Sequence, residues 1–394
     1  MAPSKHLSDE VVDFIRANEK TDIAALALKK SPFPEVPMKA IVQQLYGRKV
    51  ARKKFPFLVA YDQFRFPVKE SLEQASSEAT ARYKAELMHG ERFVDLTGGM
   101  GIDTYLIGQS FAETAYVEPN RELYELTSAN FSHLGFSSCT THNTTSEEFI
   151  RENTSKFDWA YIDPSRRIDG SRKTSIHNYI PNLVELLPRI VKMSKDVMIK
   201  LSPMQDIDEC INVLPSVCGI WVISSNNEVK ELVLHVRDDE SVKDVTVVDL
   251  SNRINKEYRS GFESRGDSIT YDGVKKYIYQ PAPAIIKAGL QNKMANDLGI
   301  FKLHPNTQLF TSDVYFDGFF GRVFEIEHMT TLNTKQIQKF LPHKKANVIS
   351  KNYPLTPDQI KRKIKIKDGG EKYLIAFTGY NESKAVAICK RLDE

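Results

Sequence analysis

Residues 92–103, RFVDLTGGMGID, decide the fold of this chain. The β-prone segment RFVDL runs straight into a glycine-rich turn, and a helical pattern begins at Ile102. Glycine lets the backbone turn sharply and lets a ligand approach it, because no Cβ stands in the way. In an open α/β sheet such a strand–turn–helix junction lies at the carboxyl edge, where ligands bind. The stretch therefore predicts a ligand site built on a parallel sheet.

Strand-like and helical segments alternate from this stretch to about residue 237. The predicted strands are RFVDL, TAYVE, CTTHN, FDWAYID and DVMIKL, and the predicted helices cover residues 102–109, 121–133, 146–151, 180–191 and 205–213. Such alternation predicts parallel strands with right-handed crossovers, an open, doubly wound α/β sheet. GIWVIS (219–224) and VKELVLHV (229–236) are separated only by a hairpin-length turn. We expect them to form an antiparallel pair at the edge of a mostly parallel, seven-stranded sheet.

The flanking segments have other patterns. Residues 1–90 look helical, with Ser8 capping one amphipathic run and Ser71 opening another that ends near Gly90. Residues 251–276 are polar and predict a loop, whereas residues 281–300 predict a helix with Pro283 near its start. The last seventy residues predict small strands and helices that end in a terminal helix. Two small α+β domains are therefore expected after the sheet.

Composition places the chain among soluble globular proteins. Its 41% hydrophobic and 27% charged residues are unlike those of disordered chains. No apolar stretch approaches the ~20 residues that cross a bilayer, and the amino terminus lacks a signal-like apolar segment, so we expect a cytoplasmic protein without membrane contact. Four scattered cysteines predict reduced thiols, and nine histidines without ligand spacing predict no metal site.

Charge is unevenly distributed along the chain. Residues 1–75 hold 13 Lys/Arg against 9 Asp/Glu, residues 341–394 hold 12 against 6, and the middle holds 29 against 36. Cations between residues 41 and 69 alternate with Phe55, Phe57, Tyr61, Phe64 and Phe66. This mixture suits a phosphate backbone with unstacked bases. A solvated charged face over a small core is an equally open interpretation.

The residues around the glycine turn favour one class of cofactor. Asp95 lies in the strand just before the turn, and the glycine spacing is not Gly-x-Gly-x-x-Gly. A nearby carboxylate would repel the pyrophosphate of a dinucleotide but attract an ammonium and a sulfonium. The pattern therefore favours S-adenosylmethionine. Glu118, at the end of the next strand, can accept the ribose hydroxyls, a feature that dinucleotide sites share.

With these features, residues 92–237 resemble a class I S-adenosylmethionine-dependent methyltransferase. VDLTGGMGID matches its first motif, Glu118 its second-strand acid and IDPSRR its fourth-strand motif. The resemblance implies a set of cofactor-binding residues: Asp95, Thr97, Gly98, Gly99, Gly101, Asp103, Glu118 and Thr145. Thr145 stands where the family usually has an acid that touches the adenine.

The whole chain is also similar to a group of bacterial methyltransferases with a helical amino-terminal segment, a ferredoxin-like insert and a THUMP-like carboxy-terminal domain. EQASSEATARYKAEL (73–87), KLSPM (200–204) and QPAPAIIKAGL followed by LFTSD carry this resemblance. It implies four domains, namely a basic helical domain at 1–75, the methyltransferase domain at 76–240, the ferredoxin-like domain at 241–322 and the THUMP-like domain at 323–394. Because THUMP-type domains bind RNA in several modifying enzymes, it also implies an RNA substrate.

Methyl transfer is expected at the end of the fourth strand, at Asp163, Pro164, Ser165 and Arg166. Asp163 and the Pro164 carbonyl can accept the hydrogens of an exocyclic amine held in line with the methyl group. The aromatic residue that usually stacks on the base is missing. The Arg166 plane can replace it, or else Tyr161 or Tyr179.

Other polar residues leave several roles open. Arg166, Arg167, Arg172 and Lys173 form either a phosphate-binding loop or a solvated one. A second set of polar residues lies on the helical segment before the glycine turn and comprises Gln74, Ser76, Ser77 and Glu78. These residues either reach the methionine end of the cofactor or form an ordinary polar helix face. Carbon-5 methylation of uracil is disfavoured, because KLSPM offers Ser202 where a cysteine nucleophile is needed.

Three alternatives to an RNA base-amine methyltransferase stay open at this point. The acceptor is a small molecule or a protein, or the chain is a non-catalytic RNA-binding protein with a degenerate core, or, more remotely, a nicotinamide dehydrogenase. The sequence does not indicate an oligomeric state.

Overall fold

The computed structural model describes residues 7–166, 175–238, 240–251, 255–341 and 343–392. The chain divides into two compact units, residues 1–220 with 231–242 and residues 221–230 with 243–394. The division passes through a β-hairpin, so the chain crosses between the units there.

Five α-helices open the described part of the first unit. They are α1 (Asp9–Ala17), α2 (Ile23–Ala27), α3 (Met38–Lys54), α4 (Lys69–Gln74) and α5 (Glu78–Glu86). The helix predicted to begin at Ser71 is in fact two helices, because the backbone becomes extended at Ala75. Ser77 then caps α5 by accepting a hydrogen bond from the Thr80 N–H.

The central sheet follows the predicted alternation of strands and helices. Its parallel part contains β1 (Arg92–Asp95), β2 (Glu113–Val117), β3 (Cys139–His142), β4 (Phe157–Ile162) and β7 (Ser194–Leu201). Between β4 and β7 along the chain, β5 (Ser165–Arg166) and β6 (Tyr179–Ile180) form a separate two-stranded ribbon. The connecting helices are α6 (Ile102–Gly108), α7 (Arg121–His133), α8 (Ser146–Glu152), α9 (Leu183–Met193) and α10 (Ile207–Val213). The antiparallel strands are β8 (Val217–Ser225), β9 (Glu228–Arg237), β10 (Asp244–Asp249) and β11 (Lys256–Gly261).

The strand order confirms the doubly wound, mostly parallel sheet with an antiparallel edge hairpin. In the described part of the chain the order is β11-β10-β8-β9-β7-β4-β1-β2-β3. β1 pairs in parallel with both β2 and β4, which places the ends of these strands side by side. Asn226 and Asn227 turn the β8–β9 hairpin with φ values of 53° and 59°, as two-residue hairpin turns require.

Two further strands lie in this sheet beyond the seven expected. β11 lies where the sequence predicted a polar loop, and it pairs antiparallel with β10. Its residues KEYRSG are intermediate or exposed, so they lack the apolar alternation that identifies a half-buried strand. Backbone pairing with β10, and not side-chain burial, makes this segment a strand.

The second unit contains a separate seven-stranded sheet with the order β13-β14-β12-β15-β18-β17-β16. Its strands are β12 (Tyr277–Pro281), β13 (Phe301–His304), β14 (Thr307–Ser312), β15 (Gly321–Thr330), β16 (Asn347–Lys351), β17 (Lys372–Thr378) and β18 (Lys384–Arg391). Its helices are α11 (Pro283–Ala288), α12 (Gln291–Leu298), α13 (Thr334–Phe340) and α14 (Pro357–Ile364). Gly289, with φ 74°, ends α11, so the single helix predicted over residues 281–300 is two.

The predicted terminal helix is wrong, because Lys384–Arg391 forms strand β18. β18 pairs antiparallel with β15 on one side and β17 on the other. Val386, Ala387, Ile388 and Cys389 are fully buried, so both faces of the strand are covered and no alternation reveals it in the sequence.

The base-stacking interpretation of residues 41–69 is wrong for three of its aromatic residues. Phe55, Phe64 and Phe66 are at most 3% exposed and pack into a core cluster with Leu58 and Leu72. Rings that are needed to fill this core have no face left for a nucleobase.

Candidate active site

A cavity of about 500 Å³ lies within the first unit, at the carboxyl ends of β1, β2 and β4. The glycine turn after β1 forms its floor. Gln74, the last residue of α4, and Ser76, between α4 and α5, line one wall. The edge of the sheet and the N-terminal helices therefore enclose the cavity together.

Two glycines of the turn leave no room for a side chain. A Cβ at Gly98 would lie 2.1 Å from the Tyr116 ring, and one at Gly101 would lie 2.7 Å from Phe131. Gly101 also has φ 79°, in the left-handed region, where it begins α6. Close packing against the sheet thus holds the turn in the shape that lines the cavity.

Asp95 organises the turn from within. It is only 1% exposed, and its Oδ1 accepts a hydrogen bond from the Thr97 N–H at 3.0 Å, while Oδ2 accepts one from Thr104 Oγ1 at 2.6 Å. Burial nevertheless raises the pKa of Asp95 to about 7, because desolvation of the carboxylate outweighs both hydrogen bonds. The charge of this wall residue therefore changes near neutral pH.

Glu118 stands at the end of β2 and also lines the cavity. Its Oε2 accepts a hydrogen bond from the Gly99 N–H at 3.0 Å, and its Oε1 accepts one from the Asn120 N–H at 2.8 Å. Each carboxylate oxygen has a second lone pair, so both oxygens can still accept from a ligand hydroxyl. Burial raises the pKa of Glu118 above its ordinary value.

Thr145 lines the cavity as expected, and it also begins α8. Its Oγ1 accepts a hydrogen bond from the Glu148 N–H at 3.1 Å. The cavity therefore has a neutral helix-capping residue at this position.

Asp103 is the centre of a buried polar network. Its Oδ2 accepts hydrogen bonds from Ser76 Oγ at 2.6 Å and from Tyr161 Oη at 3.0 Å. Lys84 Nζ lies 3.0 Å from Oδ1 and 2.8 Å from Glu231 Oε2. Residues from α5, α6, β4 and β9 thus meet at one wall of the cavity.

Asp163 lies where β4 ends, as expected, and lines the cavity. Its backbone N–H donates to Thr97 Oγ1 at 2.6 Å, which ties it to the glycine turn. Lys200, at the end of the neighbouring strand β7, donates a hydrogen bond to Asp163 Oδ2. Burial disfavours the lysine's charge, but the carboxylates of Asp163, Glu231 and Asp103 outweigh it and raise the pKa of Lys200. Lys200 is therefore a fixed cation and not a proton acceptor.

The residues after Asp163 form one strand of the small ribbon. Ser165 pairs with Ile180, and both of them line the cavity together with Pro181. Ser165 and Arg166 are exposed, and Pro164 is buried. Arg167, Arg172 and Lys173, predicted to bind phosphate or solvent, lie outside the described residues.

The two tyrosines considered as stacking residues do not fit that role. Tyr161 is 1% exposed and Tyr179 is 2% exposed. Tyr161 uses its hydroxyl in the Asp103 network, and neither ring presents an open face to a base. This alternative is therefore wrong.

Only part of the predicted polar helix face reaches the cavity. Gln74 and Ser76 line it, whereas Ser77 caps α5 and Glu78 accepts a hydrogen bond from the Phe57 N–H at 2.9 Å.

Sequence reasoning missed Lys84 and Glu231 and assigned no role to Lys200. A signal for Lys84 was present, since it lies four residues after Thr80 and three after Ala81 on the buried face of α5. Glu231, in contrast, sits in an apolar strand 147 residues away, and only the tertiary structure joins the two.

The described residues contain no group of three or more His, Cys, Asp or Glu side chains arranged to hold a metal ion. Nor does any helix in the described ranges have the length and apolar character to cross a membrane.

Comparison with known proteins adds to this geometry. A THUMP domain-like family model matches residues 321–391, and a ferredoxin-like domain model matches residues 277–319. Two uncharacterized S-adenosylmethionine-dependent methyltransferases from two strains of Mycobacterium tuberculosis are 21% identical over 304 residues, 76% of this chain and 80% of each relative. A solved structure from Porphyromonas gingivalis W83, assigned as a methyltransferase, is 28% identical and covers 97% of both chains with a TM-score of 0.87.

Proposed function

Because the chain is a class I S-adenosylmethionine-dependent methyltransferase with ferredoxin-like and THUMP-like domains, we propose that it methylates RNA at a base nitrogen by direct in-line transfer. The observation that carries the proposal is Asp163, held by Lys200 at the cavity wall beside the glycine turn.

The cavity residues fit this cofactor. S-Adenosylmethionine supplies a methyl group on a positively charged sulfur. All three acceptor residues line the cavity, and we propose that Glu118 accepts the ribose hydroxyls, that Asp103 accepts the ammonium and that Thr145 lies beside the adenine. Asp103 lines the cavity and is paired with Lys84, whose Nζ lies 3.0 Å from its Oδ1.

Asp163 is the proposed acceptor-binding residue. Lys200 occupies its Oδ2, while no described residue donates to its Oδ1, so that oxygen is available to a substrate N–H. An exocyclic amine that gives one hydrogen to Oδ1 and another to the Pro164 carbonyl turns its lone pair towards the methyl group. Lys200 keeps the carboxylate oriented for this contact.

A lysine cluster in the second unit supports RNA as the acceptor. It comprises Lys344, Lys345, Lys363, Lys365 and Lys367, all of them exposed. The Lys367 N–H donates to the Lys344 carbonyl at 2.8 Å, which brings the two halves of the cluster together. None of the five forms an ion pair with another residue that the structure describes. Exposed, uncompensated lysines suit a phosphate backbone.

The proposal is tested by transfer of a tritium-labelled methyl group to unmodified rRNA and tRNA, with the Asp163→Ala variant as control. We expect label in one RNA class with the wild-type protein and at least about a hundredfold less with the variant. Label in neither RNA, but in protein or small-molecule fractions, would replace RNA with another acceptor. Nucleoside digestion and mass spectrometry of the labelled RNA then identify the methylated atom.

A further inference from the structure

The small ribbon of β5 and β6 has one face towards the cavity and one away from it. Ser165 and Arg166 are successive residues of β5, so their side chains point to opposite faces. Ser165 lines the cavity, whereas Arg166 is not among the described residues that line it. Arg166, which stands in the sequence where a stacking aromatic residue is usual, therefore lies on the face turned away from the cavity.

The opposite strand brings an apolar side chain to the cavity face. Ile180 pairs directly with Ser165, and directly opposed residues of an antiparallel pair share a face, with Cβ atoms about 5 Å apart. Both residues line the cavity. Ser165 Oγ donates to the Ile180 carbonyl at 3.4 Å, so this small side chain is used within the ribbon. The Ile180 side chain is left uncovered and is 48% exposed.

The chain on either side of Ile180 is held in the protein core. Tyr179 is 2% exposed, and Leu183 is completely buried. A single exposed apolar residue on a protein surface needs no explanation. Ile180 differs because it is fixed in a cavity that Asp163 also lines, so an apolar surface stands near a hydrogen-bond acceptor.

Ile180 lies on the side of the cavity away from the proposed ribose contact. The lining residues extend from Glu118, after β2, across the glycine turn to the ribbon that follows β4. β1 lies between β2 and β4 in the sheet, so the ends of β2 and β4 are two strand spacings apart, about 10 Å. Glu118 and Ile180 therefore stand on opposite sides of the glycine turn.

We propose that Ile180 packs against the ring of the acceptor base while Asp163 holds the amine of that base. The inference rests on the RNA base acceptor given under Proposed function and adds the residue that receives the ring. A base reaches this position only when it is turned out of its stack. Ile180 then shields one face of the ring from water, and it does so for any base, because every base has a planar face.

Steady-state methyl transfer to unmodified rRNA and tRNA tests this role, with KM for RNA and kcat determined separately. Ile180→Ala removes most of the apolar contact. We expect it to raise KM at least about fivefold and to change kcat less than about twofold, because a contact present in both the ground state and the transition state affects KM alone. Ile180→Phe supplies an aromatic plane, and we expect it to lower KM at least about twofold, since bases stack on aromatic rings.

Two controls separate the contact from general effects. Leu28→Ala removes an equally large apolar group from a side chain that is 90% exposed and does not line the cavity, and it should change KM and kcat less than about twofold. Calorimetric titration of S-adenosylhomocysteine into Ile180→Ala measures the cofactor site by itself. We expect its affinity to change less than about threefold, because Ile180 stands away from the ribose contact.

Each outcome decides the inference. An unchanged KM in Ile180→Ala, with normal RNA labelling by the wild-type protein, would refute Ile180 as the ring contact and leave the RNA acceptor intact. A loss of S-adenosylhomocysteine affinity as large as the rise in KM would place Ile180 in the cofactor wall and overturn the inference. No labelling of RNA by the wild-type protein would refute the RNA acceptor and the inference with it.

Discussion

Lys200 Nζ donates a hydrogen bond to Asp163 Oδ2, across the ends of the adjacent parallel strands β7 and β4. Lys200 is 8% exposed, whereas Asp163 is partly open to the cavity. The pair therefore joins a buried cation to a carboxylate that is partly exposed at the cavity.

Loss of Lys200 should impair transfer more than cofactor binding. In Lys200→Met, Asp163 loses the partner that orients it, and we expect methyl transfer to fall by about a hundredfold or more. The affinity for S-adenosylhomocysteine should change less than about threefold, because Lys200 is not among the residues that line the cavity. Lys195→Met, on the same strand but exposed, is the matched control. A parallel loss of transfer and affinity would contradict a role specific to Asp163.

Cofactor affinity should rise with pH through the range in which Asp95 titrates. The carboxyl of the free protein has a pKa of about 7, so below that pH it is mostly protonated. A cationic ligand favours the ionised form and lowers this pKa, so binding releases a proton below pH 7. We expect affinity for S-adenosylmethionine to increase by up to about tenfold per pH unit below pH 7 and to level off above it.

Asp95→Asn should remove most of this pH dependence, as measured by calorimetry in buffers of different ionisation enthalpy. Glu118→Gln is the comparison variant, since burial also raises the pKa of that carboxyl. If the pH dependence persists in Asp95→Asn and disappears in Glu118→Gln, the titrating wall residue is Glu118.

The Asp95 carboxyl should also make the stability of the folded protein depend on pH. The pKa of Asp95 is raised on folding, so the folded state holds the proton more tightly, and stability falls as pH rises from about 4 to about 7. A rise of about three pKa units corresponds to about 4 kcal/mol at most. We therefore expect the free energy of unfolding of Asp95→Asn, measured by urea titration and compared with that of the wild-type protein, to be relatively higher at pH 8 than at pH 5. A constant difference between the two proteins would show that the carboxyl titrates alike in both states.

Gly98→Ala should damage the turn through a steric clash. The new Cβ would lie 2.1 Å from the Tyr116 ring, a rigid neighbour that is fully buried. We expect a loss of about 1–3 kcal/mol of unfolding free energy and weaker S-adenosylhomocysteine binding. Gly273→Ala, where a Cβ meets open space, should leave both unchanged. Unaltered cofactor affinity in Gly98→Ala would mean that the turn does not shape the site.

The lysine cluster should set the salt dependence of RNA binding. Lys344→Gln with Lys367→Gln should lower the slope of log affinity against log salt by about 1.4, if each lysine neutralises one phosphate of a single strand. Lys29→Gln with Lys30→Gln makes the same charge change at exposed sites in the first unit. Equal effects of the two pairs in filter-binding titrations would indicate a general charge effect and not a binding surface.

The sequence predicted the central sheet well because its signals are local. The helix expected at residues 121–133 is α7 over the same residues, and the asparagine turn closes the β8–β9 hairpin. Glycine-rich turns, capping residues and apolar strand runs depend on neighbours a few positions away. The individual site assignments stay predictions, although the structure brings Asp95, Glu118, Asp103 and Asp163 to one cavity.

The failures follow from partners that are distant in sequence. β18 was mistaken for a helix because its two faces are buried in two different core clusters, which removes the apolar alternation. β11 was mistaken for a loop because its strand character comes from pairing with β10. Phe55 and Phe66 look available to nucleobases until the core around them is visible.

The amino-acid order alone determined the type of sheet, the place of the glycine turn and the acidic residues beside it, since strand ends and glycine spacing are read along the chain. Only the tertiary structure decided what those acids contact. Lys84 and Glu231 are 147 residues apart, and Lys200 is 37 residues from Asp163. Pairs of this kind exist only when burial brings opposite charges together out of water, so no local pattern of residues announces them.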